Sequence, residues 1–486
     1  MMTWQLPIIR ATEEFIEALS QRGFRVADRN GRFYGSIQMQ DGSRREIAIS
    51  LREGFPYVAP KVQPIGPESK RASWHQERDG SLCLWPTDAP MPWMHADALL
   101  DRVRQWFERS AAGWPNDQPD LDLERYFDRV DGFVVYRNLD ALVGRRLRLS
   151  TRGPVIRVEG AIDANRKIDG KAYGGWAARL GTLVQPVYDW NSIEYAFGGK
   201  ASGIVEEIRA GKGHLLLLQY DRGPHAAAIA LQATRGSPVS LRAYQVADES
   251  PATLRLRAGA DAVTLSDKSV AIIGIGAVGS LLADLLSRCG INQLLLQDGQ
   301  VLRPGNCVRH FAGKEFVGWN KALAVKNAMA AARHVDPRQV TAVGTALLLP
   351  DDGHRLMLQR DLVVDATADG PTTSMLGGLS QATGRALLSV CVQREGGIVR
   401  CDRWPLREGE AHQPPVPARD ETVISREGGC GDPVSLTPPS AVLAAAELAC
   451  RMAVDVLTGA RRLPATLIHV LSAQPDAPYD RVSVLG

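Results

Sequence analysis

The chain of 486 residues is 45% hydrophobic and 23% charged, the balance of a globular protein with about two to four domains. A net charge of +3 supplies no broad field for nucleic acid or a membrane surface, and no apolar run reaches the ~18 residues of a membrane span. The seven cysteines (83, 289, 307, 391, 401, 430 and 450) form no Cys-x-x-Cys pair, and "MMTWQLPIIRATEEF" lacks a signal-peptide layout, so a reducing, cytoplasmic setting is expected.

The segment "PIIRATEEFIEALSQRG" (7–23) has the apolar spacing of an amphipathic helix closed by glycine. Extended stretches follow in "FRVADRN", "GRFYGSIQM" and "REIAISLREG", with Asn-Gly and Asp-Gly as turn signals between them. "HADALLDRVRQWFERSAAG" (95–113) returns to helical spacing. The expected order is helix, antiparallel meander, a loop with Cys83, and helix, an α+β pattern. Taken alone, Cys83 in "DGSLCLWP" reads as a small buried hydrophobe.

Residues 129–256 offer two strands, "GHLLLLQYD" and "HAAAIALQA", and a helix within "DWNSIEYAFGGKASGIVEEIRAGKG". No repeat or chemical constellation stands out, so a linker or scaffolding domain is expected.

From residue 268 the pattern becomes strand, glycine loop, helix, strand. In "KSVAIIGIGAVGSLLADLLSRCGINQLLLQDG" the loop holds Gly274, Gly276 and Gly279, and the second strand ends at Asp298. This is a βαβ nucleotide-binding pattern: the glycines admit a phosphate to the backbone, and the carboxylate can accept ribose hydroxyls. A NAD-dependent oxidoreductase fits that much equally well. Asn306, Arg309 and Lys321 then follow, a cluster suited to a triphosphate and to charge developing at an α-phosphate. "DLVVDATADG" (361–370) reads as a buried strand ending in Asp365 and Asp369, where a carboxylate could hold Mg²⁺; Lys321 as a solvated helix residue and Asp369 as a cap are the plain alternatives.

About 257–460 resembles the ubiquitin-activating superfamily, which includes bacterial enzymes that adenylate sulfur-carrier proteins. Asn306 and Arg309 stand eight and eleven residues after Asp298, as in that family, and "DLVVDATAD" resembles its Asp-x-Val-x-Asp-x-Thr-Asp segment with one extra residue. Gln300 replaces the family's second Asp, and the family's paired zinc cysteines are absent. The resemblance implies ATP bound by Gly274, Gly276, Gly279, Asp298, Asn306, Arg309 and Lys321, with Mg²⁺ on Asp369. It also implies a nucleophilic Cys430, eight residues before Pro438 and a long Ala-rich helix at about 440–458. Cys289, Cys391 and Cys450 read as packing residues, and Cys307 lies beside the phosphate cluster.

About 1–128 resembles ubiquitin-conjugating enzymes. "FPYVAP" is similar to their Tyr-Pro-x-x-Pro-Pro segment, "WHQERDGSLCLWP" to their His-Pro-Asn loop running into the active cysteine, and "MPWMHADALLDRVRQWF" to their Trp segment and helix. Gly80 keeps its place three residues before Cys83; Gln76 and Glu77 follow His75, without the Asn. The resemblance makes Cys83 a thioester cysteine, with His75 either supporting catalysis or holding the loop.

A multi-domain chain of mixed α+β and α/β class is therefore expected. Its parts are a ubiquitin-conjugating-like domain at 1–128, the linker domain at 129–256, and a Rossmann-like adenylation domain at 257–486. The resemblance implies that ATP activates the C-terminus of a ubiquitin-like protein, or the C-terminal tail of a nucleotidyltransferase. Cys430 and then Cys83 would carry the acyl group to the lysine of a target, as in bacterial fusions near antiphage operons. A homodimer is expected from family habit, with Arg255 or Arg257 reaching across. A sulfur-carrier adenylyltransferase and a non-catalytic adaptor stand as alternatives.

Overall fold

The computed structural model describes residues 6–26, 31–66, 73–85, 89–114, 123–162, 174–198, 202–210, 215–222, 225–236, 239–333, 336–417 and 435–486. The chain forms two compact units, 1–250 and 251–486.

In the first unit, helix α1 (Leu6–Gln21) is followed by strands β1 (Arg25–Val26), β2 (Arg32–Gln38), β3 (Arg44–Ser50) and β4 (Lys61–Pro64), paired antiparallel in that order. Helix α2 (Ala96–Ala111) follows. The helical spacing of Leu99, Leu100, Val103, Trp106 and Phe107 buries them in one core with Phe15 and Leu19 of α1 and Phe33, Ile37, Ile47 and Ile49 of the sheet.

The remainder of this unit is a closed barrel that the sequence pattern did not predict. Its strands are β5 (Asp128–Tyr136), β6 (Arg145–Arg152), β7 (Val155–Ile162), β8 (Gly174–Thr182), β9 (Leu215–Arg222), β10 (His225–Thr234) and β11 (Ser240–Asp248). They close in the order β10-β11-β5-β7-β6-β8-β9, with short helices α3 (Leu139–Leu142), α4 (Trp190–Phe197) and α5 (Ser202–Arg209) beside them. Strand β9 is apolar on both faces. Leu215 and Leu217 join Val134, Leu147, Leu149, Ala177 and Ala230 from four other strands, the barrel interior. Leu216, Leu218 and Tyr220 point the other way, into a core with Trp190, Ile193 and Ile208 of α4 and α5.

Trp74, one residue before His75, belongs to that outer core and is 4% exposed. Its Nε1–H donates to the Val184 carbonyl at 2.9 Å, and the Arg222 guanidinium lies 4.0 Å from its ring centroid. The barrel thus anchors the start of the Cys83 loop.

The second unit opens with α6 (Pro251–Arg255) and α7 (Ala262–Leu265). Strands β12 (Ser269–Ile273), β13 (Gln293–Gln297), β14 (Val340–Val343), β15 (Leu362–Asp365), β16 (Leu387–Gln393), β17 (Ile398–Trp404), β18 (Thr466–Val470) and β19 (Ser483–Leu485) form one sheet in the order β14-β13-β12-β15-β16-β17-β18-β19. The first five are parallel and the last three run antiparallel. Helices α8 (Ala277–Arg288), α9 (Lys321–Arg333), α10 (Pro350–Gln359), α11 (Gly370–Thr383) and α12 (Pro439–Thr458) accompany the sheet. Strand β12 lies between β13 and β15, so strand order reverses there, and in such sheets ligands bind at the carboxyl ends of the strands beside the reversal. Among the described residues no helix is long and apolar enough to cross a membrane.

Replacing Trp74 by alanine is expected to destabilise the first unit by about 3–5 kcal/mol, the usual cost of emptying a buried aromatic site. Urea denaturation followed by tryptophan fluorescence measures this; an unchanged midpoint would show that the ring is no anchor.

Candidate active site

The loop between β12 and α8 is built by close approaches that only glycine permits. Gly274 has φ +84°, and a Cβ there would stand 2.7 Å from the Thr367 nitrogen. A Cβ on Gly279 would collide with the Gly274 carbonyl oxygen, so this helical glycine lets α8 fold back onto the loop. At Gly276, by contrast, a Cβ would meet nothing within 4 Å. Gly276 is also the N-cap of α8, where backbone N–H groups lack intrahelical partners and favour an anion.

The peptide groups of Ile275 are held from two sides. Asp298, at the end of β13, accepts the Ile275 N–H on Oδ2 at 2.8 Å and the Gln300 N–H on Oδ1 at 2.7 Å. The Ile275 carbonyl accepts from His310 Nε2 at 2.9 Å, while His310 Nδ1 accepts the Ala312 N–H at 3.1 Å. That pair of bonds requires a neutral imidazole with its proton on Nε2. Burial, opposed by the bond to Ile275, lowers the His310 pKa below its ordinary value and keeps the ring neutral. The sequence reading did not single out His310; its only signal was its place beside Arg309.

Asn306 shapes the turn Pro304–Val308, its Oδ1 accepting the Arg303 N–H at 3.0 Å. Arg309 caps this turn, and its Nη1 donates to the carbonyls of Ser435 (3.2 Å) and Thr437 (2.8 Å), just ahead of α12. Lys321 begins α9, is 9% exposed, and donates from Nζ to Gln300 Oε1 at 2.7 Å. Asn320, also unremarked in the sequence, donates to the carbonyls of Asp298 (2.7 Å) and Gln300 (3.2 Å). Asp298, Ile275, His310, Gln300 and Lys321 are therefore joined in one hydrogen-bonded chain around the glycine loop.

Two carboxylates follow β15. Asp365 is 1% exposed. It accepts from Thr367 N–H (3.0 Å) and Oγ1 (2.6 Å), from Thr373 Oγ1 (2.5 Å) and from Ser389 Oγ (3.2 Å), so its oxygens serve the fold. Asp369 is exposed and caps α11: its Oδ2 accepts the Thr372 hydroxyl at 2.7 Å and N–H at 3.0 Å, and these bonds lower its pKa. The cap foreseen as the plain alternative is present, while Oδ1 has no hydrogen-bond partner among the described residues. Between the two stands Ala368 at φ +55°, so the extra residue of this segment is absorbed as one left-handed step. Among the described residues no group of three or more His, Cys, Asp or Glu side chains converges as a metal cage. A cation held mostly by phosphates needs only one or two carboxylates, a demand that Asp369 meets.

The cysteines separate by environment. Burial raises the Cys391 pKa to about 11 and pushes that of fully buried Cys401 upward as well, so both stay protonated thiols at neutral pH. Cys307 is partly exposed, with Sγ 3.9 Å from the Arg303 carbonyl. Cys430 lies outside the described residues. Arg255 ends α6 and Arg257 is exposed just beyond it.

In the first unit, residues 76–82 make a tight hairpin. Gln76 and Leu82 pair, Gly80 takes φ +81°, and Asp79 Oδ1 accepts the Ser81 N–H at 3.0 Å. The His75 carbonyl accepts two bonds, from Cys83 N–H at 2.8 Å and from Trp106 Nε1–H at 2.9 Å. The His75 ring lies on Trp114, centroids 4.5 Å apart. Cys83 is partly exposed. Arg102 of α2 donates from Nε to the Leu84 carbonyl at 2.5 Å, a contact the sequence pattern did not reveal.

Two outcomes check this geometry. Gly279→Ala should lower the melting temperature of the second unit, whereas Gly276→Ala should leave it unchanged and weaken nucleotide binding measured by calorimetry. Since the folded His310 pKa is depressed, the unfolded chain binds more protons below pH ~6.5, and stability falls as pH drops through that value toward the folded pKa. Denaturation at pH 7.5 and 5.5 should show a smaller acid-induced loss in His310→Gln than in the parent.

Comparison with known proteins finds a likeness over part of the chain. Residues 253–402 match the model of the ThiF family. The chain is 32% identical over 226 residues to the uncharacterized protein y4qC of Sinorhizobium fredii, covering 40% of this chain and 38% of that protein. It is 30% identical over 125 residues to the ATP-dependent ubiquitin transferase-like protein Cap2 of Vibrio cholerae, covering 25% and 21%. The matches thus span well under half the length of these relatives. Among solved structures, E. coli MccB with ATP aligns at 16% identity and a TM-score of 0.34 over 46% of this chain and 63% of that one, too slight a likeness to carry an argument. The C-terminal half of this chain thus holds a stretch, 253–402, that is similar to the ThiF family.

Proposed function

We propose that the chain activates the C-terminus of a protein with ATP and passes it through two thioesters to an amine. The three-part division at 1–128, 129–256 and 257–486 belongs to this reading. What carries it is the open face of Gly276 at the strand-order reversal, with Lys321 linked to the glycine loop through Gln300 and Asp298, within a stretch that matches the ThiF family.

The nucleotide's phosphates lie on the α8 N-terminus, with Arg309 and Lys321 as cations and the ribose at Asp298. Asn306 keeps the turn that aims Arg309. Lys321 is bonded to the neutral Gln300 in place of the family's second carboxylate, which leaves its charge for phosphate. Mg²⁺ on Asp369 would neutralise phosphate charge. A carboxylate oxygen of the incoming C-terminus attacks the α-phosphate, and pyrophosphate leaves. Preorganised donors lower this barrier because they need no rearrangement as charge develops. The acyl-adenylate is then open to the Cys430 thiolate, which displaces AMP. Cys83 takes the acyl group by thioester exchange and a lysine amine takes it from Cys83. His75 positions Cys83 through its carbonyl. The carrier is a ubiquitin-like protein or a nucleotidyltransferase tail, with conjugation serving antiphage defence. A homodimer with Arg255 or Arg257 reaching across, and a cytoplasmic setting, complete the reading.

Arg309→Ala should reduce carrier-dependent ATP–pyrophosphate exchange about hundredfold, or about 3 kcal/mol. Asp369→Asn keeps the cap and removes the charge, so it should abolish exchange without lowering the melting temperature; retained exchange would move the metal elsewhere. Cys83→Ala should accumulate a reductant-sensitive thioester on Cys430, and Cys430→Ala should form adenylate but leave Cys83 empty. A Cys430→Ala protein that charges Cys83 at the parental rate would make the transfer direct and the relay wrong.

A further inference from the structure

The second unit holds a pair of thiols that the adenylation chemistry does not use. Cys289 caps the C-terminal end of α8, and Cys450 lies on the buried face of α12, 161 residues away in the chain. Their sulfurs are 3.7 Å apart. Cys289 is partly exposed and Cys450 is buried. We propose that Cys289 and Cys450 are a reversible modification site, a dithiol that small peroxides oxidise to a disulfide joining α8 to α12.

The two sulfurs are unlike in ways that assign their roles. The hydrogen bond between the two sulfurs lowers the Cys289 pKa, against the opposing effect of burial. Cys450 shifts upward through the same bond and through burial, and stays a thiol. Cys289, the partly exposed sulfur, is the one that meets the oxidant as thiolate, and buried Cys450 is the partner that resolves it. The Cys289 sulfur attacks one peroxide oxygen, the O–O bond breaks, and hydroxide leaves, giving a sulfenic acid. The Cys450 sulfur then attacks the Cys289 sulfur, and water leaves with the former sulfenic oxygen and the Cys450 proton. The pair loses two electrons and the peroxide gains them. Closing the bond requires the sulfurs to approach by roughly 1.7 Å, to the ~2.05 Å of a disulfide.

The link has a defined mechanical effect. Helix α8 starts at the glycine loop and α12 starts beside the carbonyls that Arg309 holds. A disulfide between them makes one covalent body of the two helices that border the candidate site.

The test uses the full chain at neutral pH with hydrogen peroxide near stoichiometry, followed by alkylation, digestion and mass spectrometry. The expected product is a 289–450 cross-linked peptide pair, about 2 Da lighter than its two free peptides and separated by dithiothreitol. In Cys450→Ala, Cys289 should accumulate as a dimedone-trapped sulfenic acid; in Cys289→Ala, Cys450 should remain alkylable. The proposal is overturned if parental Cys289 and Cys450 both stay alkylable while other cysteines oxidise, or if Cys289 advances to sulfinic acid without the cross-link. The parental protein decides the matter by itself should either variant fail to fold.

Discussion

The candidate site depends on the backbone around one residue, Ile275. Its N–H is fixed by a carboxylate from the neighbouring strand and its carbonyl by a buried neutral imidazole. An ionised acceptor makes the first bond stronger than an ordinary amide pair, and burial shields the second from competing water. With Ile275 fixed, Gly276 has one orientation, and the first turn of α8 presents its N–H groups in one direction. Loss of either partner would leave a buried polar group unsatisfied, the expensive side of hydrogen-bond energetics. The loop is therefore held in place by the chain's own groups.

The first unit positions its cysteine by a different device. Here aromatic bulk replaces charge: Trp74 is sunk in the core beside the barrel, Trp106 donates to the same carbonyl as Cys83, and Trp114 carries the His75 ring. Large rings hold a loop at low entropic cost because they have few torsions to freeze. A hairpin of seven residues, 76–82, then sets where Cys83 emerges.

Local pattern carried far in this chain. The helices over 7–23 and 95–113, the βαβ unit from 268 and the long helix near 440–458 all follow from apolar spacing, glycine placement and caps, which act within a few residues. The barrel did not follow, because β5 pairs with β11 and with β7 in parallel, and such pairings join segments without a turn signal between them. Strand β9 was readable as a strand, but "LLLL" conceals that its two faces serve different cores. The same limit hid the partners of the site. His310, Asn320 and the hydroxyls around Asp365 matter through contacts with distant residues, as does the meeting of Cys289 and Cys450.

The parallel seam of the barrel also orders events during synthesis. Residues 128–136 pair on one side with 155–157 but find their other partner only at 242–248, so the barrel cannot close until the ribosome has released about 250 residues. Until then the face that receives Trp74 is incomplete, and the hairpin bearing Cys83 lacks its anchor. The N-terminal sheet, although translated first, therefore waits for the barrel before the Cys83 loop is set. The order in which the chain emerges therefore sets when Cys83 reaches its folded place.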